Sequence, residues 1–356
     1  MRVVVTGATG NVGTSVLAAL AAEPAVTSIV GLARRLPARQ VDKTEWVDAD
    51  VRYDDLVTHF RGADVVVHLA WLFQPTHRPL VTWRANVIGS ARVLRAVADA
   101  KVPALVYASS LGAYSPKQDD HPVDETWPTD GWPPAGYMRE KAYVERLLDL
   151  FVTEHPHCRA VRLRPAFIFQ RAAASEQRRL FAGPLLPNWL LRPGLIPVVP
   201  AMPGLCFQAL HAADAADAFR RAVIGDAEGA FNLAADPVID AHRLAELLHA
   251  RTIRVPTRLA RAALATAWHL RLAPADPNLF DGLLRMPIMG TTRARTELGW
   301  TPRISATDAI REALDGMREG AGADTPPLAP DAGGPFRVRE FASGVGGFDP
   351  VDRWGR

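Results

Sequence analysis

The sequence predicts an α/β protein built on a doubly wound parallel sheet with a smaller, interleaved lobe. Short, continuously apolar β-branched runs alternate with longer amphipathic stretches through the first half, and a glycine-rich turn follows the first run directly. Val3-Val4-Val5 and Val65-Val66-Val67 are apolar on every residue, as strands buried on both faces are. Candidate strands are Val3 to Thr6, Ser28 to Leu32, Asp64 to Leu69, Ala104 to Ser109 and Arg159 to Leu163. Helical patterns lie between them near Val12 to Ala22, Thr82 to Ala100 and Tyr137 to Glu154.

Downstream the pattern changes. From about Ala166 to Met202 the chain is irregular and rich in Pro, Leu and Arg, which marks a second lobe. Ala230-Phe231-Asn232-Leu233 reads as a return to the sheet, and helical patterns resume near Ala241 to Ala250 and Ala306 to Arg318. The expected division is a core over 1–165, a mainly separate lobe with that returning segment over 166–320, and a Gly/Pro-rich tail over 321–356. The tail's scattered Phe336, Phe341, Phe348 and Trp354 make no core of their own.

Composition narrows the class. Of 356 residues 48% are hydrophobic and 22% charged, a balance that fits a globular chain rather than a disordered one. No apolar run approaches a membrane span, and the strand-like start at Arg2 leaves no room for a signal peptide, so a cytoplasmic protein with no membrane partner is expected. The formal charge of +3 comes from dispersed arginines without a basic run, which argues against nucleic acid. Cys158 and Cys206 are read as packing thiols, and His155, His157 and Cys158 as part of a helix-to-strand connection, so no metal is expected.

Thr6-Gly7-Ala8-Thr9-Gly10-Asn11-Val12-Gly13 stands between the first strand and a helix. A tight turn needs glycine's backbone freedom, and a close approach to pyrophosphate needs a missing side chain. The helix N-terminus then offers unpaired N–H groups to the anion. This is a Rossmann-type dinucleotide loop, and it assigns Gly7, Thr9, Gly10, Asn11, Val12 and Gly13 to the cofactor. At the end of the second strand Ala33 stands where a ribose-binding carboxylate is usual, and Arg34 and Arg35 follow. Two guanidinium forks suit a 2′-phosphate, so NADP is favoured over NAD. Asp50-Val51 falls where a carboxylate meets the adenine amino group, with a plain helix cap as the alternative.

Tyr137 and Lys141 are four residues apart, one helical turn on one face. Lysine and oxidised nicotinamide would both favour phenolate and bring the tyrosine toward useful acid/base strength. Ser110, after the strand ending at Ser109, is in position to hydrogen-bond a substrate oxygen at the carboxyl end of the sheet.

With these residues in order, the chain resembles the extended short-chain dehydrogenase/reductases, also called the NAD-dependent epimerase/dehydratase family, from Val3 to about Pro302. The matching segments are TGATGNVG at Thr6, DV at Asp50, HLA at His68, NVIGSARVL at Asn86, SSLGAY at Ser109, YMREK at Tyr137, RLRP at Arg162, QALHAAD at Gln208 and ELGWTP at Glu297. The resemblance implies Ser110, Tyr137 and Lys141 as catalytic residues, with Tyr137 and Lys141 also touching the cofactor. It adds Val51, Leu69, Ala70 and Pro165 to the cofactor wall, Pro165 beside the nicotinamide amide.

The departures are specific. Dehydratases of the family carry Asp-Glu immediately after the serine, and decarboxylases a Glu, where this chain has Leu111 and Gly112. Many relatives have a glycine near Gln170. What remains is hydride transfer at a carbinol or carbonyl carbon of a small molecule. A nucleotide-sugar 4-epimerase with retained NAD is the alternative, and a dinucleotide-responsive regulatory protein a third reading. Trp71, Phe73, Trp127, Trp132, Phe167 and Trp189 are candidates to enclose an apolar substrate, and Arg178 and Arg179 to meet a diphosphate. A homodimer is compatible with the sequence.

Overall fold

The computed structural model describes residues 1–73, 77–181, 195–274 and 276–332. Trp189 and the four tail aromatics therefore lie outside the described residues. In chain order the first half contains β1 (Arg2–Thr6), α1 (Asn11–Ala21), β2 (Ser28–Ala33), β3 (Thr44–Asp48), α2 (Val57–Phe60), β4 (Val65–His68), α3 (Pro79–Trp83), α4 (Gly89–Asp99), β5 (Ala104–Ala108), α5 (Gly136–Glu154) and β6 (Arg159–Pro165). There follow β7 (Phe167–Phe169), α6 (Ala174–Phe181), β8 (Val198–Ala201), β9 (Cys206–His211), α7 (Ala212–Ile224), β10 (Gly229–Leu233), β11 (Ala235–Asp240), α8 (Ala241–Leu248), β12 (Arg251–Arg254), α9 (Thr257–His269), α10 (Pro277–Leu283), α11 (Thr292–Thr296) and α12 (Ala306–Glu319).

The main sheet has seven parallel strands in the order β10-β6-β5-β4-β1-β2-β3. Strand order reverses between β1 and β4, and a crevice at such a switch point is where open α/β sheets bind ligands. Alternation along β1 supplies both layers. Val3 and Val5 pack in one core with Val16 and Leu20 of α1 and Phe219 of α7, while Val4 joins Phe60, Val93 of α4 and Leu148 of α5 on the other face. The smaller lobe holds a three-stranded sheet β11-β9-β7 and a parallel pair β12-β8. The returning segment read at Ala230 to Leu233 is β10, the edge strand beside β6.

Two local features differ from the sequence reading. The helix expected over Thr82 to Ala100 is interrupted by a π turn at Arg84–Ile88, between α3 and α4. Periodicity alone cannot reveal it, because the turn is stabilised by Asn86 bonding to a distant loop. A strand with no counterpart among the five candidates is Thr44–Asp48, a half-exposed edge strand without the apolar run of its neighbours.

Some matched motifs have a structural role. The fully buried Trp300 donates its indole N–H to the Asp214 carbonyl at 2.8 Å, and the Asp214 carboxylate accepts from the backbone N–H groups of Arg303 and Ile304. These bonds pin the loop before α12 to the start of α7. Among the described residues no helix is long and apolar enough to cross a membrane. Trp300→Ala should cost about 3–5 kcal/mol of folding stability, because it leaves a large cavity and removes the indole bond to α7. Chemical denaturation measures this, and a loss below about 1 kcal/mol would place Trp300 outside the core's critical packing.

Candidate active site

The glycine loop shows which of its glycines shape it and which keep it open. At Gly7, with φ of +71°, an added Cβ would lie 2.6 Å from the Ala70 nitrogen, and at Gly13 it would lie 2.3 Å from the Gly7 carbonyl oxygen. Those two glycines let β1, the loop and the end of β4 close on one another, so Leu69 and Ala70 form one wall of the loop. At Gly10 an added Cβ would meet only the Gly7 oxygen, at 3.5 Å. Gly10 leaves space beside the N-terminus of α1, which no side chain caps. An uncapped helix start with room beside it fits a dinucleotide pyrophosphate. Thr9 is buried in the loop, and Val12 packs its side chain toward the core.

At the adenosine end Arg34 is half-buried and Arg35 exposed. Asp50 is held by a near neighbour in sequence. Its carboxylate accepts the Arg52 backbone N–H at 2.9 Å and the Arg52 guanidinium on both oxygens, at 2.8–3.1 Å. It caps the turn at 51–53 rather than a helix. Burial raises its pKa, but the Arg52 bonds outweigh this and, with the charge of Arg34, hold it below the ordinary range. Val51 packs on Gly89 of α4, where an added Cβ would lie 2.9 Å from its methyl group. Pro165 ends β6 and pairs in register with Leu233 of β10.

The three expected catalytic side chains come together at the carboxyl end of β5. The Tyr137 hydroxyl donates to the Ser110 hydroxyl oxygen at 2.9 Å, which also accepts the Gly112 backbone N–H at 3.0 Å. With both acceptor positions used, the Ser110 proton is left to donate outward. Gly112 lies under the Tyr137 ring, where an added Cβ would be 2.9 Å from ring carbon Cε1. Any side chain there, the family's glutamate included, would displace the phenol.

Lys141 sits one turn along α5. Its Nζ donates to the Ala108 carbonyl at 2.7 Å and lies 3.5 Å from the Trp71 ring centroid. Burial lowers the Lys141 pKa to about 7, against the opposing charges of Glu145 and Glu140. The Tyr137 phenol is pushed up to about 12 by burial, despite the Ser110 bond that works the other way. The ammonium bonds β5 and faces Trp71, and the phenol keeps its proton at neutral pH.

The aromatic candidates split into two groups. Trp71 and Phe73 flank Tyr137 edge-on, with centroids 6.0 and 4.9 Å away, and Phe181 of α6 meets Phe73 at 5.9 Å. Trp127, Trp132 and Phe167 join an apolar cluster with Leu111, Met138, Met286 and Met289, on which Tyr137 also packs. The buried indole N–H of Trp71, beside Lys141, has no hydrogen-bond partner. Arg178 is buried, and Arg179 donates to the carbonyls of Pro327 and Ala329, so Arg179 serves the described part of the tail. Burial raises the neighbouring Glu176 to about 7 against the charge of Arg179. Cys158 is buried, its thiol pushed up to about 11, and no metal-binding group of His, Cys, Asp and Glu occurs among the described residues.

With this geometry in view, the chain matches the model of the NAD dependent epimerase/dehydratase family over residues 3–234. The chain belongs to that family. An uncharacterised protein of Mycobacterium tuberculosis (strain ATCC 25618 / H37Rv) is 27% identical over 99% of this chain and 90% of its own length. A 4-hydroxy-2-methyl-3-oxo-4-farnesyl-3,4-dihydroquinoline-1-oxide ketoreductase of Stigmatella aurantiaca is 31% identical over 48% of this chain and 51% of its own. The fold is similar to a UDP-glucose-4-epimerase of Stenotrophomonas maltophila solved with bound NAD and formylated UDP-arabinopyranose. That match has a TM-score of 0.66 and 21% identity, and covers 90% of this chain and 98% of that one. This member of the epimerase/dehydratase family is an NAD-dependent enzyme of the oxidoreductase or epimerase type.

Several residues around the site carried no assigned role in the sequence. Glu140, beside the lysine, is buried and accepts from Thr82 at 2.6 Å and from Asn86 at 2.7 Å. Asn86, in the π turn, also bonds the backbone N–H and C=O of Leu72, fixing the segment that carries Trp71. Glu145 accepts from Ser109, Arg162 and Arg164, and the two arginines hold it down at about 2 although burial alone would raise it. His68 bridges Thr6 and Ser90, lowered by burial to about 3 and therefore neutral. A carboxylate on the inward face of an amphipathic helix is the signal that could have found Glu140 and Glu145.

Lys141 has a stability consequence. Its native proton leaves near pH 7 and its unfolded proton only near 10.5, so between those values the unfolded chain binds more protons. This group's contribution therefore improves as pH rises through that window and is worst below it. Lys141→Met should raise Tm at about pH 6, with the gain shrinking toward about pH 9. Thermal melts across that range test it, and a variant no more stable than the parent at the acidic end would refute the buried-ammonium cost.

Proposed function

We propose that the protein is a reductase, working reversibly as a dehydrogenase, on the carbonyl of a small apolar molecule, with NADP preferred over NAD. The observation that carries this reading is the 2.9 Å Tyr137–Ser110 contact beside a largely apolar wall, with Leu111 and Gly112 where elimination chemistry needs acids. The bound dinucleotide supplies or accepts the hydride.

The remaining work falls to this chain's side chains. Ser110 donates its outward proton to the carbonyl oxygen and holds it beside Tyr137. The Tyr137 hydroxyl then gives its proton to that oxygen as negative charge develops there. A phenol pushed up to about 12 is protonated at neutral pH, which suits the donor's role in the reducing direction. Lys141, one helical turn from Tyr137, would hold the nicotinamide ribose hydroxyls, and its charge would stabilise the phenolate left behind. Gly7, Thr9, Gly10, Asn11, Val12 and Gly13 would cradle the pyrophosphate, Asp50 and Val51 would border the adenine, and Leu69, Ala70 and Pro165 would line the ribose and nicotinamide end.

Trp71, Phe73 and Phe181 around the phenol support an apolar substrate, as does the ketoreductase relative, whose named substrate carries a farnesyl chain. A nucleotide-sugar epimerase is the second reading, favoured by the fold likeness to sugar-nucleotide epimerases. Against it, Arg179 is engaged by the Pro327 and Ala329 carbonyls.

Tyr137→Phe should slow single-turnover reduction of an apolar ketone about 10²–10⁴-fold while keeping dinucleotide affinity within about twofold. Unchanged hydride transfer across the pH range would remove Tyr137 as donor. NADPH should bind more tightly than NADH, and Arg34→Ala with Arg35→Ala should erase the difference, read by fluorescence titration. Equal affinities in the parent would defeat the cofactor preference.

A further inference from the structure

The glycine loop is held by side chains from distant parts of the chain. Gln170 lies in the connection between β7 and α6. It is buried, and its Nε2 donates to both the backbone and side-chain oxygens of Asn11, each at 2.7 Å. Its Oε1 accepts from Ser15 of α1 at 3.3 Å. From another direction Thr325, 4% exposed, donates its hydroxyl to the Thr9 carbonyl at 2.9 Å.

Thr325 does not hang on a loose end. Its own carbonyl accepts from the N–H groups of Leu328 and Ala329, and the Ala323 N–H closes back on the Leu328 carbonyl. Leu328 is fully buried. Arg179 of α6 clips the Pro327 and Ala329 carbonyls, and the Ser175 N–H bonds Ala321. The segment from Ala321 to Ala329 is therefore a closed strap seated on α6, with Thr325 reaching the loop.

Both contacts fall on carbonyls of the loop. A peptide is planar, so holding the Asn11 carbonyl also fixes the direction of the Val12 N–H on its opposite side. That N–H belongs to the uncapped start of α1. The carbonyl side of the loop is thus fixed by the smaller lobe, while its N–H side stays open to an anion.

We propose that Gln170 and Thr325 form a two-point latch, built from the smaller lobe and the tail, that holds the loop in its dinucleotide-binding shape and slows dinucleotide release. This rests on the reading of the loop as the cofactor site. Neither residue touches the reacting atoms, so both are positioning residues.

The test uses the full chain and four variants: Thr325→Val, which keeps shape and loses the donor; Thr325→Ser, which keeps the donor; Gln170→Met, which keeps length and loses both polar atoms; and the Val and Met changes combined. Hydrogen exchange of the peptide covering Thr6 to Val16 is measured without cofactor, and NADPH and NADH release by stopped-flow displacement. Each lost contact is expected to speed exchange and release about 2- to 10-fold, with Thr325→Ser at parent values and the combined variant exceeding either alone. Parent-like exchange and release in both Thr325→Val and Gln170→Met would overturn the latch. Faster exchange with unchanged release would overturn its role in retention. A parent that binds neither NADPH nor NADH would overturn the cofactor reading and the latch together, and the cofactor-free exchange data separate that failure from the others.

Discussion

The site depends on the burial of charge along one helix. Within two turns α5 carries Glu140, Lys141 and Glu145, all buried, and each is satisfied by a different part of the fold. Glu140 takes the π turn and α3, Lys141 takes the end of β5, and Glu145 takes β5 and β6 through Ser109, Arg162 and Arg164. An unpaired buried charge costs several kcal/mol, so these partners fix the axial position and rotation of α5 more tightly than apolar packing would. Tyr137 inherits that precision. Its hydroxyl meets Ser110 because the helix cannot slide or turn without breaking one of the three sets.

This also accounts for the π turn. A regular helix through Arg84–Ile88 would change the facing of the residues after it by a fraction of a turn. The wider turn lets Asn86 face inward to Glu140 and the Leu72 backbone, while α4 keeps Val93 and Val97 toward the sheet. The segment bearing Trp71 and Phe73, the catalytic helix and the α3–α4 pair are thereby joined through one amide side chain. The wall around the phenol is set by the same interactions that set the phenol.

The parts legible in the sequence are those with short-range causes. Apolar β-branched runs located the central strands, and glycine spacing located the loop, because each depends on neighbours within a few residues. Ser110, Tyr137 and Lys141 were legible because a strand end and one helical turn suffice to bring them together. The bond from Arg52 to Asp50 was not legible, because nothing in a dipeptide motif says how strongly a guanidinium two residues away holds the carboxylate. The raised phenol pKa was hidden for a different reason. Lysine spacing suggests a nearby positive charge, but the dryness that moves both groups comes from Trp71, Phe73 and the Leu111–Met138 cluster, contributed by distant segments.

The same distinction explains the two ends of the glycine loop. What the loop offers an anion, namely room at Gly10 and an uncapped helix, is written within eight consecutive residues. What keeps it in that shape is contributed by Gln170 and Thr325, more than 150 and 300 positions away. Such contacts can change between relatives that share every loop residue, because the loop sequence does not constrain them. Gln170 illustrates this. Its side chain crosses from the connection before α6 to bond Asn11 and Ser15. A shared cofactor motif can therefore hold its dinucleotide briefly in one relative and persistently in another, according to how the smaller lobe grips the carbonyl side of the loop.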